Sequence, residues 1–347
     1  MPAGEYVDTV LSELTRVTSP AAAPRGNDTI YFGGGTPSLL PPEAISALLH
    51  ELTSTRRTRH AAREVTLEAN PEDVTLSNAR EWRAAGVNRV SLGAQSFDDT
   101  VLKWMHRSHD AAQIKRAVQA LRDAGIENIS LDLIFGLPEE LQRNWERDLD
   151  MLCSLLPAHC SLYGLTVEPR TPLDRWISRG ATHAPDEERY AEEYLFAHRR
   201  LMADGFVFYE VSNAARDGFR SQHNSAYWSG QPYLGLGPAA HSFDGTTRRW
   251  NLRAWEAYRR AVAEGRSAVE SEEGLTEEQK ELEALYLGLR TVEGVACAAL
   301  RRPSPPPHLA AQGWLVEHNG RLRCTPEGWL RLDSLVSDLT MHTEIPQ

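Results

Sequence analysis

No run in these 347 residues approaches the roughly 20 consecutive apolar positions that a membrane-spanning helix requires. No transmembrane segment is expected, although peripheral contact with a membrane stays open. The opening MPAGEYVDTVLSEL has neither a positive cluster nor an apolar block. It does not read as a secretory leader, and the chain is read as cytoplasmic. Cysteine is scarce: Cys153, Cys160, Cys297 and Cys324 are the four, none in a C-x-x-C or comparable metal spacing. They read as reduced, mostly buried thiols rather than a disulfide framework. Positive charge is also short, with 37 Lys and Arg against 48 Asp and Glu and a net charge of -11. That balance argues against nucleic acid as the partner, since phosphate neutralisation needs clustered cations.

What is present is a strand–helix alternation. Apolar positions at helical spacing predict a helix over 5–18, and short β-branched runs predict strands at 29–32, 65–69, 89–92, 128–134 and 160–165. Helices are predicted between them at about 42–54, 76–85, 99–105, 111–123 and 144–155, with a long one at 186–204. Gly125 closes the fourth of these, a usual helix end. Strands alternating with helices imply a parallel sheet with right-handed crossovers. The fold class is therefore α/β: an open, partial (β/α) barrel over 1–205, with its chemistry at the C-terminal ends of the strands. Residues 206–268 are loop-rich, and 206–250 carry many Gly, Asn, His, Tyr and Trp, a composition uncommon unless functional. Residues 269–347 predict a helix at 275–289, a short helix near 308–312, and a hairpin of 314–317 with 321–324 turned by Asn319-Gly320. A last helix is capped by Thr325-Pro326. This order resembles a small winged-helix-like domain. It carries no dense basic stripe, so DNA binding is not its expected role.

Several polar residues fall where strands end. Gly33-Gly34-Gly35-Thr36-Pro37 follows the 29–32 strand and offers close backbone approach and N–H donors, though a plain tight turn would look the same. Glu68 and Asp132 lie in strands, Gln95 just after one, and Arg107 beyond the next helix. Two acids, an amide, a guanidinium and a glycine turn on one rim suit a zwitterionic nucleoside. Taken singly, each is equally a solvated or internally satisfied group. Downstream, His223-Asn224-Ser225-Ala226-Tyr227-Trp228 sets an imidazole beside two aromatic rings, suited to a heme iron and a flat macrocycle. A buried hydrogen-bonded cluster is the competing reading. His241 is a secondary candidate.

The blocks GGGTPSLL, LEANPE, GVNRVSLGAQSF, LDLIFGLP and SLYGLTVEPRTPL occur in this order. Together they resemble the signature blocks of the oxygen-independent coproporphyrinogen III oxidase-like radical-SAM family over residues 29–173. The resemblance implies that Gly34, Gly35, Thr36, Glu68, Gln95, Arg107 and Asp132 contact S-adenosylmethionine. The H-N-x-x-Y-W block resembles that family's heme-handling branch. This implies heme binding through His223, Asn224, Tyr227 and Trp228, with His223 on the iron, and transfer of heme to acceptor hemoproteins. The family's [4Fe–4S] cluster is held by C-x3-C-x2-C after a first strand, and neither is present in this sequence. A start placed too far downstream is the favoured explanation, genuine loss the other. Without those thiolates no reductive cleavage of S-adenosylmethionine is expected from this sequence. The alternatives are the parent family's oxidative decarboxylation of coproporphyrinogen III and a plain S-adenosylmethionine-binding regulatory module.

Overall fold

The computed structural model describes residues 2–17, 29–54, 63–300, 309 and 311–340. Helix α1 (Ala3–Val17) buries Val7, Val10 and Leu14. Strand β1 (Thr29–Phe32) leads through the glycine turn to α2 (Pro42–Ser54). Then come β2 (Glu64–Ala69), α3 (Leu76–Ala85) and β3 (Arg89–Gln95). After β3 the chain forms α4 (Asp99–Trp104) and α5 (Ala111–Asp123), then β4 (Asn128–Phe135), α6 (Trp145–Ser154) and β5 (His159–Gly164).

Local chemistry sets these boundaries. The Thr75 side chain accepts the Asn78 amide to start α3, and Gly86 ends it in the left-handed region at φ 114°. Asp110 and Gln113 form a reciprocal capping box on α5. The apolar positions of the strands alternate with polar ones. Leu67, Leu92, Leu131, Leu133 and Leu162 point to the helices and join Trp82, Ile114 and Leu121 in the main core. Trp82 has no exposed surface.

Strands β1 to β5 pair in sequence order and in parallel. The expected half-barrel is thus present, but its last two strands depart from the all-parallel expectation. After α7 (Pro172–Ser178) and α8 (Glu187–Ala203) the chain forms β6 (Val207–Glu210) and β7 (Asn213–Ala215). These pair antiparallel with each other, and β7 pairs antiparallel with β5. Only two residues join β6 to β7, far too few for a parallel crossover. At the opposite side β1 is the edge strand of the seven, in the order β1-β2-β3-β4-β5-β7-β6.

The stretch read as loops contains helix α9 (Gln222–Trp228). It also holds a three-stranded sheet of β8 (His241–Phe243), β9 (Thr247–Asn251) and β10 (Val269–Gly274), with α10 (Trp255–Ala263) between the last two. The tail runs α11 (Glu277–Leu289), β11 (Val295–Ala296), β12 (Leu315–His318), β13 (Arg321–Cys324), α12 (Pro326–Trp329) and α13 (Leu332–Thr340). Asn319 and Gly320 turn the hairpin with φ of 52° and 71°, as their sequence requires. Of the short helix expected near 308–312, residues 309 and 311 are helical, and 308 and 310 lie outside the described residues. The tail docks on the half-barrel through Trp329, whose indole donates to Leu289 O of α11 at 3.0 Å and whose ring meets His198 of α8.

Candidate nucleoside and heme site

The face of the sheet turned away from the helices is polar. Its side chains are Thr29 and Tyr31 from β1, Glu64, Thr66 and Glu68 from β2, and Ser91 and Gln95 from β3. Strands β4 and β5 add Ser130, Asp132, His159, Ser161 and Tyr163. Polar groups removed from water need partners, and here most find them in one another, Thr66 Oγ1 being an exception.

At the C-terminal ends, Glu68 accepts a hydrogen bond from Tyr31 OH at 2.6 Å and another from the Gly34 amide. Gly33 has no room for a side chain: a Cβ there would sit 2.4 Å from the Tyr31 ring and 3.0 Å from Glu68 Oε1. Gly34 takes φ 102°, a conformation glycine adopts without strain. Asp132 accepts from Ser91 Oγ at 2.9 Å and from Ser130 Oγ at 3.0 Å. Burial raises the pKa of both Glu68 and Asp132 above the ordinary carboxyl range, and each acid's charge further raises Glu68 or Tyr31 nearby. A cation bound between them would relieve that cost.

The glycine turn, Glu68 and Asp132 are thus brought together. Gln95 ends β3 at φ 64°, a strained conformation for glutamine. Its Nε2 lies 2.8 Å from the position a Cβ on Gly93 would take. Thr36 is half-buried and precedes the 3-10 turn Pro37–Leu39 without capping it. Arg107 is half-buried past α4, and among the described residues it makes no side-chain bond to Glu68, Gln95 or Asp132.

From Asp132 a hydrogen-bonded chain crosses the inner face. Ser130 Oγ lies 2.8 Å from His159 Nδ1, and His159 Nε2 lies 2.8 Å from Tyr209 OH. Tyr209 OH accepts the Ser221 amide at 3.3 Å. Burial holds the His159 imidazole neutral, its pKa well below the ordinary value. One assignment satisfies every group: Tyr209 donates to Nε2, Nδ1–H donates to Ser130, and Ser130 donates to Asp132.

Ser221 caps α9, accepting the Asn224 amide at 3.2 Å. The buried Glu64 carboxylate then holds the first turn, accepting the Gln222 and His223 amides, each at 2.9 Å. The His223 ring stacks on Tyr31, centroids 4.7 Å apart and 17° between planes. Its Nδ1 is 2.7 Å from Thr29 Oγ1, and its Nε2 is 3.1 Å from Tyr227 OH, one helical turn on. Tyr31 therefore touches both ends of the site, Glu68 with its hydroxyl and His223 with its ring. Burial lowers the His223 pKa to about 4, with Glu64 opposing the shift. An imidazole whose pKa falls on folding is neutral throughout the window between about 4 and its unfolded value of about 6.5, and its contribution to stability is lost as pH falls through that window. Nitrogen-15 NMR of histidine-labelled protein is expected to show His223 neutral at pH 5.5; a protonated ring there would contradict the buried geometry.

The motif does not form a single clamp. His223 and Tyr227 face β1, whereas Trp228 lies on the other side of α9 under the Arg290 guanidinium, 4.2 Å from ring centre to Cζ. With Ser225, Phe243, Leu285 and Val295, Trp228 lines a cavity of about 1090 Å³ against the tail. Asn224 is half-buried beside Ser221. His241 is exposed and stacks on Trp250 at 6.1 Å, apart from the His223 set. Thr29, Tyr31, Glu64, Ser130, His159 and Tyr209 were not singled out by sequence. Their one signal was the polar alternation opposite the apolar stripe.

This scaffold is of the radical-SAM kind. Residues 6–152 match the model of the Radical SAM superfamily, and residues 275–331 match that of the HemN C-terminal domain. The chain is 36% identical to the heme chaperone HemW of Bacillus subtilis over 85% of its own length and 78% of that protein. It is 36% identical to heme chaperone HemW of Mycobacterium tuberculosis over 90% and 80%. It is 35% identical to the mitochondrial radical S-adenosyl methionine domain-containing protein 1 of Bos taurus over 90% and 75%. The fold resembles coproporphyrinogen III oxidase (HemN) from Escherichia coli, with a TM-score of 0.79 at 21% identity over 97% of this chain and 83% of that one.

The chain belongs to the HemW family of radical-SAM proteins.

The family's cofactors are S-adenosylmethionine and a [4Fe–4S] cluster. The two carboxylates beside the exposed glycine turn fit the cationic nucleoside. The described residues do not fit the cluster: Cys153, Cys160 and Cys324 are buried, Cys297 is half-buried, and no group of three or more metal-ligating side chains occurs among them. No helix among the described residues is long and apolar enough to cross a membrane.

Proposed function

We propose that this chain binds heme and passes it to acceptor hemoproteins, on a radical-SAM scaffold whose inner face also receives S-adenosylmethionine. The observation that carries the reading is His223: a neutral, oriented imidazole on a short helix docked inside the half-barrel. Neutral imidazole is the form that ligates iron. The relatives named heme chaperones support the same cargo. Asn224 steadies the first turn, Tyr227 orients the imidazole, and Trp228 offers a ring on the far side of the helix.

For the nucleoside, Gly34, Gly35 and Thr36 supply backbone and hydroxyl contacts, and Glu68 and Asp132 face its positive charge. Gln95 and Arg107 complete the rim, Arg107 offering its guanidinium to the ligand's carboxylate. When bound, the sulfonium would supply positive charge at the acids. The ligands of the cluster are not among the described residues. The coproporphyrinogen oxidase reading gains no support from the site for the same reason.

Titration of the purified chain with hemin tests the proposal. His223→Ala is expected to weaken binding on the order of tenfold or more, the equivalent of about 1.4 kcal/mol or more. Equal affinities would remove His223 from the site. No binding by either protein would remove the carrier reading itself.

A further inference from the structure

Both nitrogens of His223 are engaged in the structure, one by each of two hydroxyls. A neutral imidazole has one N–H and one lone pair, so one of these hydroxyls must occupy the lone pair. The phenol of Tyr227 is a far more acidic donor than the alcohol of Thr29. It therefore donates to Nε2, and Thr29 Oγ1 accepts from Nδ1–H. Iron would bind through that same Nε2 lone pair.

We propose that Tyr227 is a removable cap on the iron-ligating nitrogen, and that Thr29 is the positioning residue that fixes the tautomer. This rests on the reading of His223 as the heme ligand. Three features converge on it. Tyr227 is one helical turn from His223, so the cap is built into the same rigid element. The contact is long, 3.1 Å, against 2.7 Å at Thr29, as expected of a bond that has to yield against one that has to hold. Stacking on Tyr31 prevents the ring from turning away. The Tyr227 ring also packs edge-on against Tyr233 at 4.6 Å, in the segment leading to β8, so opening the cap moves the phenol against that ring.

Chemically, the cap breaks one O–H···N bond and the iron forms one Fe–N bond in its place. The proton stays on the phenol, so no oxidant, reductant or base is consumed. The exchange eases heme release at the expense of capture, since on release the lone pair returns to Tyr227 instead of being left bare in a desolvated site. Nδ1–H donated to Thr29 orients the ring and raises the basicity of Nε2, as second-shell partners do for metal-bound histidines.

The two variants are expected to act in opposite directions. Tyr227→Phe removes the competing hydroxyl while keeping the ring, and should bind hemin about threefold to tenfold more tightly, the scale of one net hydrogen bond. Thr29→Val keeps the shape and removes the acceptor, and should bind hemin several-fold more weakly, on the order of one hydrogen bond. Loss of fold cannot produce a gain, so the Tyr227→Phe result separates a cap from a merely structural tyrosine. Nitrogen-15 NMR of the heme-free wild type should show the proton on Nδ1.

Unchanged or weaker binding by Tyr227→Phe overturns the cap, as does a proton found on Nε2. If His223→Ala binds hemin as the wild type does, the ligand reading has failed first, and that result is separate from either of these.

Discussion

Replacing Arg143 by methionine is expected to lower folding stability by about 3–5 kcal/mol, because it leaves the buried Asp148 without its cation and Glu193 with Arg189 alone. The Arg143 side chain has no exposed surface and bridges Glu193 and Asp148, the latter at 3.8 Å. It also donates to Ile134 O at 2.7 Å, and its guanidinium lies over Trp145. Asp148 in turn accepts from Ser96 Oγ and the Phe97 amide, both at 2.8 Å, and Glu193 accepts the Gly136 amide at 2.8 Å. These are the residues that follow Gln95 and close β4. The network thus fixes the loops that follow β3 and β4, next to Gln95 and Asp132. Urea denaturation monitored by circular dichroism reads the loss. A change under about 1 kcal/mol would mean that the two acids are already neutral in the fold.

Glu64→Ala should be the next most damaging change, at roughly 2–5 kcal/mol, because two buried amide donors lose their acceptor at about 1–3 kcal/mol each. Glu64 is 2% exposed at the start of β2 and holds the first turn of a helix 158 residues later in the chain. A seven-residue helix has little stability of its own, so releasing its first turn frees His223 from Thr29 and Tyr31. The expected signature is therefore double: a lower urea midpoint and weaker hemin binding. Glu64→Gln keeps one acceptor oxygen and should recover part of both. Full hemin affinity in Glu64→Ala would show that α9 is positioned by other contacts.

The strands and crossover helices were legible because a single periodicity generates them. The span of β1 and the ends of α3 and α5 follow from apolar spacing and from Gly86 and Gly125. What the sequence hid has physical causes. Helix α9 shows no apolar stripe, because its shape depends on a carboxylate supplied by a distant strand. The antiparallel closure by β6 and β7 depends on a two-residue link among Tyr, Glu and Asn that carries no hairpin signal. Glu64, Thr66 and His159 carry no sequence signal of burial, yet all three are buried inside the half-barrel. The H-N-x-x-Y-W string reads as one cluster because neighbours in sequence look like neighbours in space. On a helix, His223 and Tyr227 share a face that Trp228 does not.

The two halves of the site are joined by more than proximity. Tyr31 donates to Glu68 and stacks on His223, and the Ser130–His159–Tyr209 chain leads from Asp132 to the cap of α9. The polar inner face is continuous from Glu68 and Asp132 to the His223 imidazole.

Electron paramagnetic resonance of ferric heme bound to nitrogen-15 histidine-labelled protein probes the iron–imidazole bond itself. Hyperfine coupling to one histidine nitrogen, present in the wild type and gone in His223→Ala, is the outcome this structure predicts. Coupling that survives the substitution, or is absent from both proteins, would place the iron elsewhere.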